Sequence, residues 1–209
     1  MIQIARRGVC LVLSAPSGAG KTAIAEALLA TEPLLERSIS VTTRGRRPAE
    51  IDGVHYHFLT EDRFQQALRE DALLEWARVL QGTHAYGTPR APVEKALAEG
   101  RDVVFDIDWQ GHRQLREKLP ADIVSVFVLP PNIAALRSRL VRRAGDHGEE
   151  IERRMRVARD EIRHWTDFDH AVVNEDLATA TDMVRAVLHA ARSATSRLVG
   201  LPAFVAGLA

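Results

Sequence analysis

At 209 residues the chain is long enough for one domain with a sizeable core, and its 46% hydrophobic and 27% charged composition is that of a globular protein. The 28 Lys and Arg balance the 28 Asp and Glu, a net charge of zero that argues against a general nucleic-acid binder. The single cysteine, Cys10, excludes an internal disulfide, reads as a core residue and fits a reducing cytoplasm.

In chain order, short β-branched runs alternate with helical patterns. Val9–Leu13 reads as a strand, and its "VCLVL" is too short for a secretory signal and lacks a cleavage site. Lys21–Ala30 reads as an apolar-rich helix, Ser38–Thr42 and Tyr56–Leu59 as strands, and Thr60 as the cap of a helix over Glu61–Glu70. A helix over Val93–Glu99 stops at Gly100. "VVFDI" (Val103–Ile107) and "IVSVFVL" (Ile123–Leu129) are buried-type strands. Asn132 opens a helix to about Arg143, Glu149–Trp165 is a long charged helix, Ala171–Val173 a last strand, and Leu177–Ala194 a last helix. Strands separated by helices imply an α/β fold with a parallel sheet covered on both faces. Residues 39–90, rich in Thr, Arg, His and Gly, break the rhythm and read as an insertion between the first and second sheet strands. "RRAGDHGEE" (Arg142–Glu150) is a polar break, read as a hinge or lid. The apolar tail, residues 198–209, is interrupted by Pro202 and falls far short of the roughly 20 residues a membrane span needs.

The first strand runs into "SAPSGAGKTA" (Ser14–Ala23), and a helix follows. Strand, Gly-containing loop, Gly-Lys-Thr and helix form a phosphate cradle, because a polyphosphate needs several inward backbone N–H groups and a helix N-terminus behind it. Ala15, Pro16, Ser17, Gly18, Ala19 and Gly20 supply the loop, with Gly18 and Gly20 allowing close approach. Lys21 supplies a charge to the transferred phosphate, and the Thr22 hydroxyl is placed to ligate Mg2+. The usual first glycine is Ala15 here, already held extended by Pro16. This loop specifies a nucleoside triphosphate and is silent on the second substrate.

In "SISVTTRGRRP", Arg44, Arg46 and Arg47 alone read as a solvated basic loop. Beside a phosphate loop they read as guanidinium forks for a second phosphate. Asp106 ends a buried strand, where α/β proteins place their chemistry, and there it holds a Mg2+-bound water while Asp108 reaches the acceptor. His55 and His57 flank Tyr56 without further ligands at metal spacing and read as strand-surface histidines. Trp76, Trp109 and Trp165 read as packing.

The motifs "APSGAGKT", "SVTTRGRRPAEIDGVHY", "LLEWA", "YGT", "VVFDIDWQG", "LPP", "RLVRR…IERRM" and "VVNEDL" occur in one order over about residues 9–190, and the chain thereby resembles guanylate kinases. The resemblance implies a P-loop NTPase core with a mixed α/β GMP-binding insertion and a small lid, and transfer of the terminal phosphate of ATP to GMP with Mg2+. It implies that Ser40, Arg44, Arg47, Tyr56, Glu75, Tyr86 and Thr88, with Asp106 and Asp108, line the GMP site, and that Arg44 is also catalytic. Arg139, Arg143 and Arg154 are then the lid arginines over the ATP phosphates, and Asn174 approaches the adenine side. One domain is expected: a core of about 1–38, 91–136 and 159–197, a GMP-binding section of about 39–90, a lid of about 137–158, and the tail. Expected partners are ATP and GMP, with no nucleic acid and no membrane, in the cytoplasm; monomer and homodimer both remain open.

Two departures from the family pattern stand out. The segment between Glu75 and Tyr86 is two residues longer, and Ala144 stands where a glycine usually follows the lid arginine, with Gly145 one step later. A non-enzymatic module of the same family would dispense with Lys21, Thr22, the loop glycines and the lid arginines, all present here. Glu75 and the "SVTTRGRRP" loop argue against another acceptor. The acceptor phosphate is already ionised near neutral pH, its second pKa being about 6, so no general base is needed. Catalysis is then positioning and neutralisation of charge.

Overall fold

The computed structural model describes residues 4–79, 83–144 and 148–208, apart from the side chains of Arg143 and Ala144. Its centre is a five-stranded parallel sheet in the order β2-β7-β1-β8-β9, built from β1 (Cys10–Ser14), β2 (Leu35–Arg37), β7 (Asp102–Asp106), β8 (Ile123–Leu129) and β9 (His170–Val173). Every residue of β1 is buried, as a central strand covered on both faces requires. Its alternate side chains feed two layers. Leu11 and Leu13 join Ile24 and Leu28 of α1 (Lys21–Thr31) and Val184 and Leu188 of α7 (Leu177–Arg192). Cys10 and Val12 join Leu97 of α3 (Arg90–Ala98), Phe105, and Leu115 of α4 (Trp109–Lys118). Burial pushes the Cys10 thiol well up, so it behaves as a small core hydrophobe.

A second sheet, order β4-β3-β6-β5, comprises β3 (Val41–Thr42), β4 (His57–Phe58), β5 (Leu73–Val79) and β6 (His84–Pro89), with α2 (Glu61–Arg69) beside it. Its own core is Val41, Phe64, Leu73 and Ala85. Leu74, the next residue of β5, instead packs in the main core. A third small cluster, Leu136, Leu140, Ile151, Met155 and Ala158, joins α5 (Ile133–Ala144) to α6 (Gly148–Ile162).

Helix starts follow the expected chemistry. The hydroxyl of Thr60 accepts from Arg63 N at 3.3 Å, the amide oxygen of Asn132 from Ala135 N at 2.8 Å, and the Asp176 carboxylate from Thr179 N at 2.8 Å. Other elements differ from the sequence reading. The core sheet gains β2, of which only Leu35 is buried, so the 39–90 excursion leaves after the second sheet strand and not after the first. The expected strand over Ser38–Thr42 shrinks to β3 and belongs to the second sheet. The long charged helix stops at Ile162 and continues as a 3-10 turn over Arg163–Asp167. β5, β6 and α4 carry no simple apolar period and were not expected. His55 lies in a turn, its ring Nδ1 accepting from Ile51 N at 2.9 Å, while His57 opens β4. Trp109 stacks on His164 at 3.7 Å between centroids, and Trp165 is half exposed.

The tail docks at its root. Arg7 N–H donates to Arg197 O at 2.8 Å and Gly200 N–H to Ala5 O at 2.9 Å, after which α8 (Leu201–Ala206) forms. Among the described residues no helix is long and apolar enough to cross a membrane.

Candidate active site

β1 lies between β7 and β8, so the chain crosses the sheet in opposite directions on either side of it. The crevice beyond such a switch point is where open α/β sheets bind ligands. The loop that leaves β1 there turns through Gly18 at φ 92° and Gly20 at φ 100°, left-handed conformations that side chains resist. A Cβ on Gly20 would also collide with the Asn174 side-chain amide. α1 starts at Lys21 with no side-chain cap, leaving its first N–H groups to face the crevice.

A cleft of about 580 Å³ opens on this loop, lined by Ala15, Pro16, Ser17, Gly18, Gly20, Lys21 and Thr22, and by Asp106, Asp108 and Glu161. Lys21 Nζ lies 2.8 Å from Asp106 Oδ1 and donates to Ile107 O at 2.9 Å. The Thr22 hydroxyl donates to Asp106 Oδ2 at 2.8 Å. One carboxylate at the end of β7 therefore touches both the lysine and the hydroxyl of the Gly-Lys-Thr motif. Asp108 caps α4, accepting from Gln110 N at 3.0 Å and Gly111 N at 2.9 Å. Glu161, which the sequence reading did not single out, accepts from Ser17 N at 3.2 Å, and burial holds its carboxyl above the ordinary range.

Asn174 is buried, its amide donating to Ala19 O at 2.7 Å. Arg139 bridges Ala19 O at 3.3 Å and Asn174 O at 2.9 Å. Both line an adjoining cleft of about 380 Å³ with Gly18, Gly20 and Leu177. Arg154 does not reach the loop; it pairs with Glu150 of its own helix at 2.7 Å. The Arg143 side chain and Gly145 lie outside the described residues.

On the second sheet two groups assemble. In the first, Arg44 donates to both Glu50 oxygens at 3.0 and 2.6 Å and to the Tyr86 hydroxyl at 3.2 Å, with its guanidinium 5.5 Å from the Tyr56 ring centre. The Arg44 guanidinium, helped by the Arg47 backbone N–H at 2.8 Å, holds the Glu50 carboxyl down at about 2. The sequence reading passed over Glu50. In the second group, Thr88 donates to Glu75 Oε1 at 2.6 Å across the β5–β6 pairing. Burial pushes the Glu75 carboxyl up, the Thr88 hydroxyl opposes that shift, and the Asp108 charge adds to it. In the β5–β6 pairing Tyr86 stands opposite Ala77 and Thr88 opposite Glu75, with an irregularity between Leu73 and Glu75, and residues 80–82 lie outside the described residues. Ser40 lines a third cleft of about 430 Å³ with Tyr56, Ser38, Arg37, Ile107 and Asp106.

The chain matches the family model described as guanylate kinase over residues 7–191. It is 60% identical over 197 residues to a guanylate kinase of Gluconobacter oxydans, covering 94% of each chain. It is 57% identical over 205 residues to a guanylate kinase of a Chelativorans species, covering 98% of this chain and 93% of the relative. Among solved structures, a guanylate kinase from Anaplasma phagocytophilum superposes with a TM-score of 0.76 at 32% identity, covering 98% of this chain and 96% of that one.

Proposed function

The chain belongs to the guanylate kinase family and is an ATP:GMP phosphotransferase, and from that premise we propose how its residues carry the reaction. One observation carries the reading: Asp106 lines both the phosphate-loop cleft and the cleft of Ser40 and Tyr56, so donor and acceptor meet at its carboxylate. ATP lays its phosphates along Ala15–Thr22, with Arg139 over them from the lid side and Asn174 on the adenine side. GMP presents its phosphate to Arg44, Arg47, Tyr56 and Tyr86, and its base to Glu75, Thr88, Ser40 and Asp108. Residues 39–90 act as the acceptor lobe, 137–158 as the lid, and the remainder as the core with its tail.

The donor set at Thr22 and Asp106, a hydroxyl and a carboxylate 2.8 Å apart, is all oxygen and fits Mg2+ completed by substrate phosphates and water. Thr22 would hold the ion directly and Asp106 through water, and the ion would neutralise charge on the transferred group. Lys21 exchanges Asp106 for a phosphate oxygen, which frees that carboxylate. Arg44 fixes the acceptor phosphate in line. Closure of the lid brings Arg143 and Arg154 toward the triphosphate and excludes water that would hydrolyse ATP.

The test is a phosphotransfer assay of ATP against a panel of nucleoside monophosphates. GMP and dGMP are phosphorylated and AMP scarcely; comparable rates with AMP or a pyrimidine nucleotide would refute the base assignment.

A further inference from the structure

β5 is an edge strand of the second sheet, pairing with β6 on one side only. Its other edge is not left bare. The Gln114 side chain, from α4 of the core, accepts from Trp76 N at 3.0 Å and donates through Nε2 to Trp76 O at 2.9 Å. This is the bonding pattern of a neighbouring strand, supplied by one side-chain amide. One turn further along α4, Lys118 Nζ donates to Leu73 O at 2.7 Å and pairs with Asp71 at 2.6 Å. Between these two grips, Leu74 is fully buried in the main core.

The residue held between the grips is Glu75. At the start of the same helix, a Cβ on Gly111 would come within 3.2 Å of Glu75 Oε2, so the carboxylate lies directly against α4. A carboxylate that reads two parallel donors of a base must be fixed in plane and direction, because hydrogen bonds weaken steeply when misaligned. Thr88 fixes one oxygen, but Thr88 is itself part of the second sheet. The grip that refers Glu75 to the core comes from α4.

We propose that Gln114 is a positioning residue for guanine recognition: it stands in for a strand partner of β5 and sets the carboxylate of Glu75 relative to Asp106 and Asp108. The inference rests on the kinase reading above. The guanine-reading wall of the acceptor lobe is thereby tied to the core through α4. Gln114 touches no substrate and acts through the Trp76 backbone.

The test compares wild type with Gln114→Met, close in size and without the amide, and Gln114→Glu, which keeps an acceptor for Trp76 N–H and loses the donor to Trp76 O. Steady-state constants are measured for GMP, for IMP (the same base without the 2-amino group) and for ATP. Gln114→Met should raise KM for GMP about fivefold and cut the GMP-to-IMP efficiency ratio at least about threefold, with kcat and KM for ATP changing less than about twofold. Gln114→Glu should fall between. Gln66→Ala, removing an exposed amide on α2 that bonds only Glu70, should change none of these. A Gln114→Met enzyme with an unchanged ratio, or with KM for GMP and ATP rising together, would overturn the proposal. If Gln114→Met does not fold, Gln114→Glu decides by the same ratio. Wild type inactive on GMP would instead overturn the kinase reading itself.

Discussion

Glu75→Gln separates recognition from folding. Only 7% of Glu75 is exposed, and Oε1 accepts from Thr88 at 2.6 Å. Guanine N1–H and the 2-amino group are parallel donors, and an ionised carboxylate offers two parallel acceptors. Glutamine keeps one oxygen for Thr88 and turns an NH2 group toward the amino group, so at least one charge-assisted bond is replaced by opposed donors. Such a bond contributes about 1.5–3 kcal/mol, which lowers kcat/KM for GMP roughly 10- to 100-fold. AMP, with an acceptor at N1 and no 2-amino group, gains nothing comparable to lose, so the GMP-to-AMP ratio falls with it.

Stability should move the other way. Burial raises the Glu75 pKa in the folded protein above its unfolded value. Between those two values the native state binds more protons than the unfolded one, so stability falls as pH rises through that window and stays lower above it. Glutamine removes the buried charge and still accepts from Thr88, so Tm at neutral pH should rise or hold while activity drops. By the same shift, KM for GMP in wild type should climb on acidification earlier than an exposed glutamate would give. Coupled phosphotransfer assays and thermal melts on one preparation suffice. Unchanged GMP efficiency with an unchanged GMP-to-AMP ratio would show that other residues read the base, and a fall in Tm would show that the ionised carboxylate itself stabilises the fold.

Lys21→Ala should abolish most turnover and leave GMP affinity nearly intact; loss of GMP binding by titration on the same scale would contradict the separation of the two sites. Arg44→Ala should weaken GMP about tenfold or more and guanosine little, since the fork addresses the phosphate; equal weakening in a binding titration would refute it. Asp102 is fully buried and accepts from Arg6 at 2.7 and 2.9 Å, Arg192 at 2.7 Å and Val9 N at 2.8 Å. Asp102→Ala should therefore cost about 3–5 kcal/mol in urea unfolding with KM for GMP unchanged, and a loss under about 1 kcal/mol would show the cluster to be solvated.

What the sequence made legible was local. The phosphate loop announces itself because Gly18, Gly20, Lys21 and Thr22 are contiguous and flanked by a strand and a helix. The central strands β1, β7 and β8 read as apolar runs because both their faces are covered, while the edge strand β2, with only Leu35 buried, does not. Glu161, Glu50 and Gln114 left no such trace. Glu161 and Gln114 are polar helix residues far in the chain from the groups they serve, Glu161 meeting Ser17 across 144 positions and Gln114 meeting Trp76 across 38. Glu50 meets Arg44 across only 6 but sits in a polar loop without periodicity. β5 hid for a related reason. It divides its side chains between two cores and a polar site, Leu73 to one, Leu74 to the other and Glu75 to the site, with an irregularity between Leu73 and Glu75, so no period of two survives.

The zero net charge and the task of binding two polyanions are reconciled in the ion pairs. Lys21 is paired with Asp106, Arg44 with Glu50, and Arg154 with Glu150. These three cations thus already have a carboxylate of the chain itself, so none of them is held as a lone charge. An incoming phosphate gains affinity only by the difference between its contact and the one it replaces. The displaced carboxylates have different fates. Asp106 would be free to hold Mg2+ through water, where a negative charge is wanted. Glu50, with its carboxyl held at about 2 by Arg44, would stay ionised beside an acceptor phosphate taken by Arg44 and would repel it unless Arg44 served both. Glu50→Gln should therefore tighten GMP binding while loosening the loop that aims Arg44, giving a lower KM together with a lower kcat. A raised KM at unchanged kcat would show that Glu50 matters only by holding Arg44 in place, and that the exchange of partners is not what tunes this site.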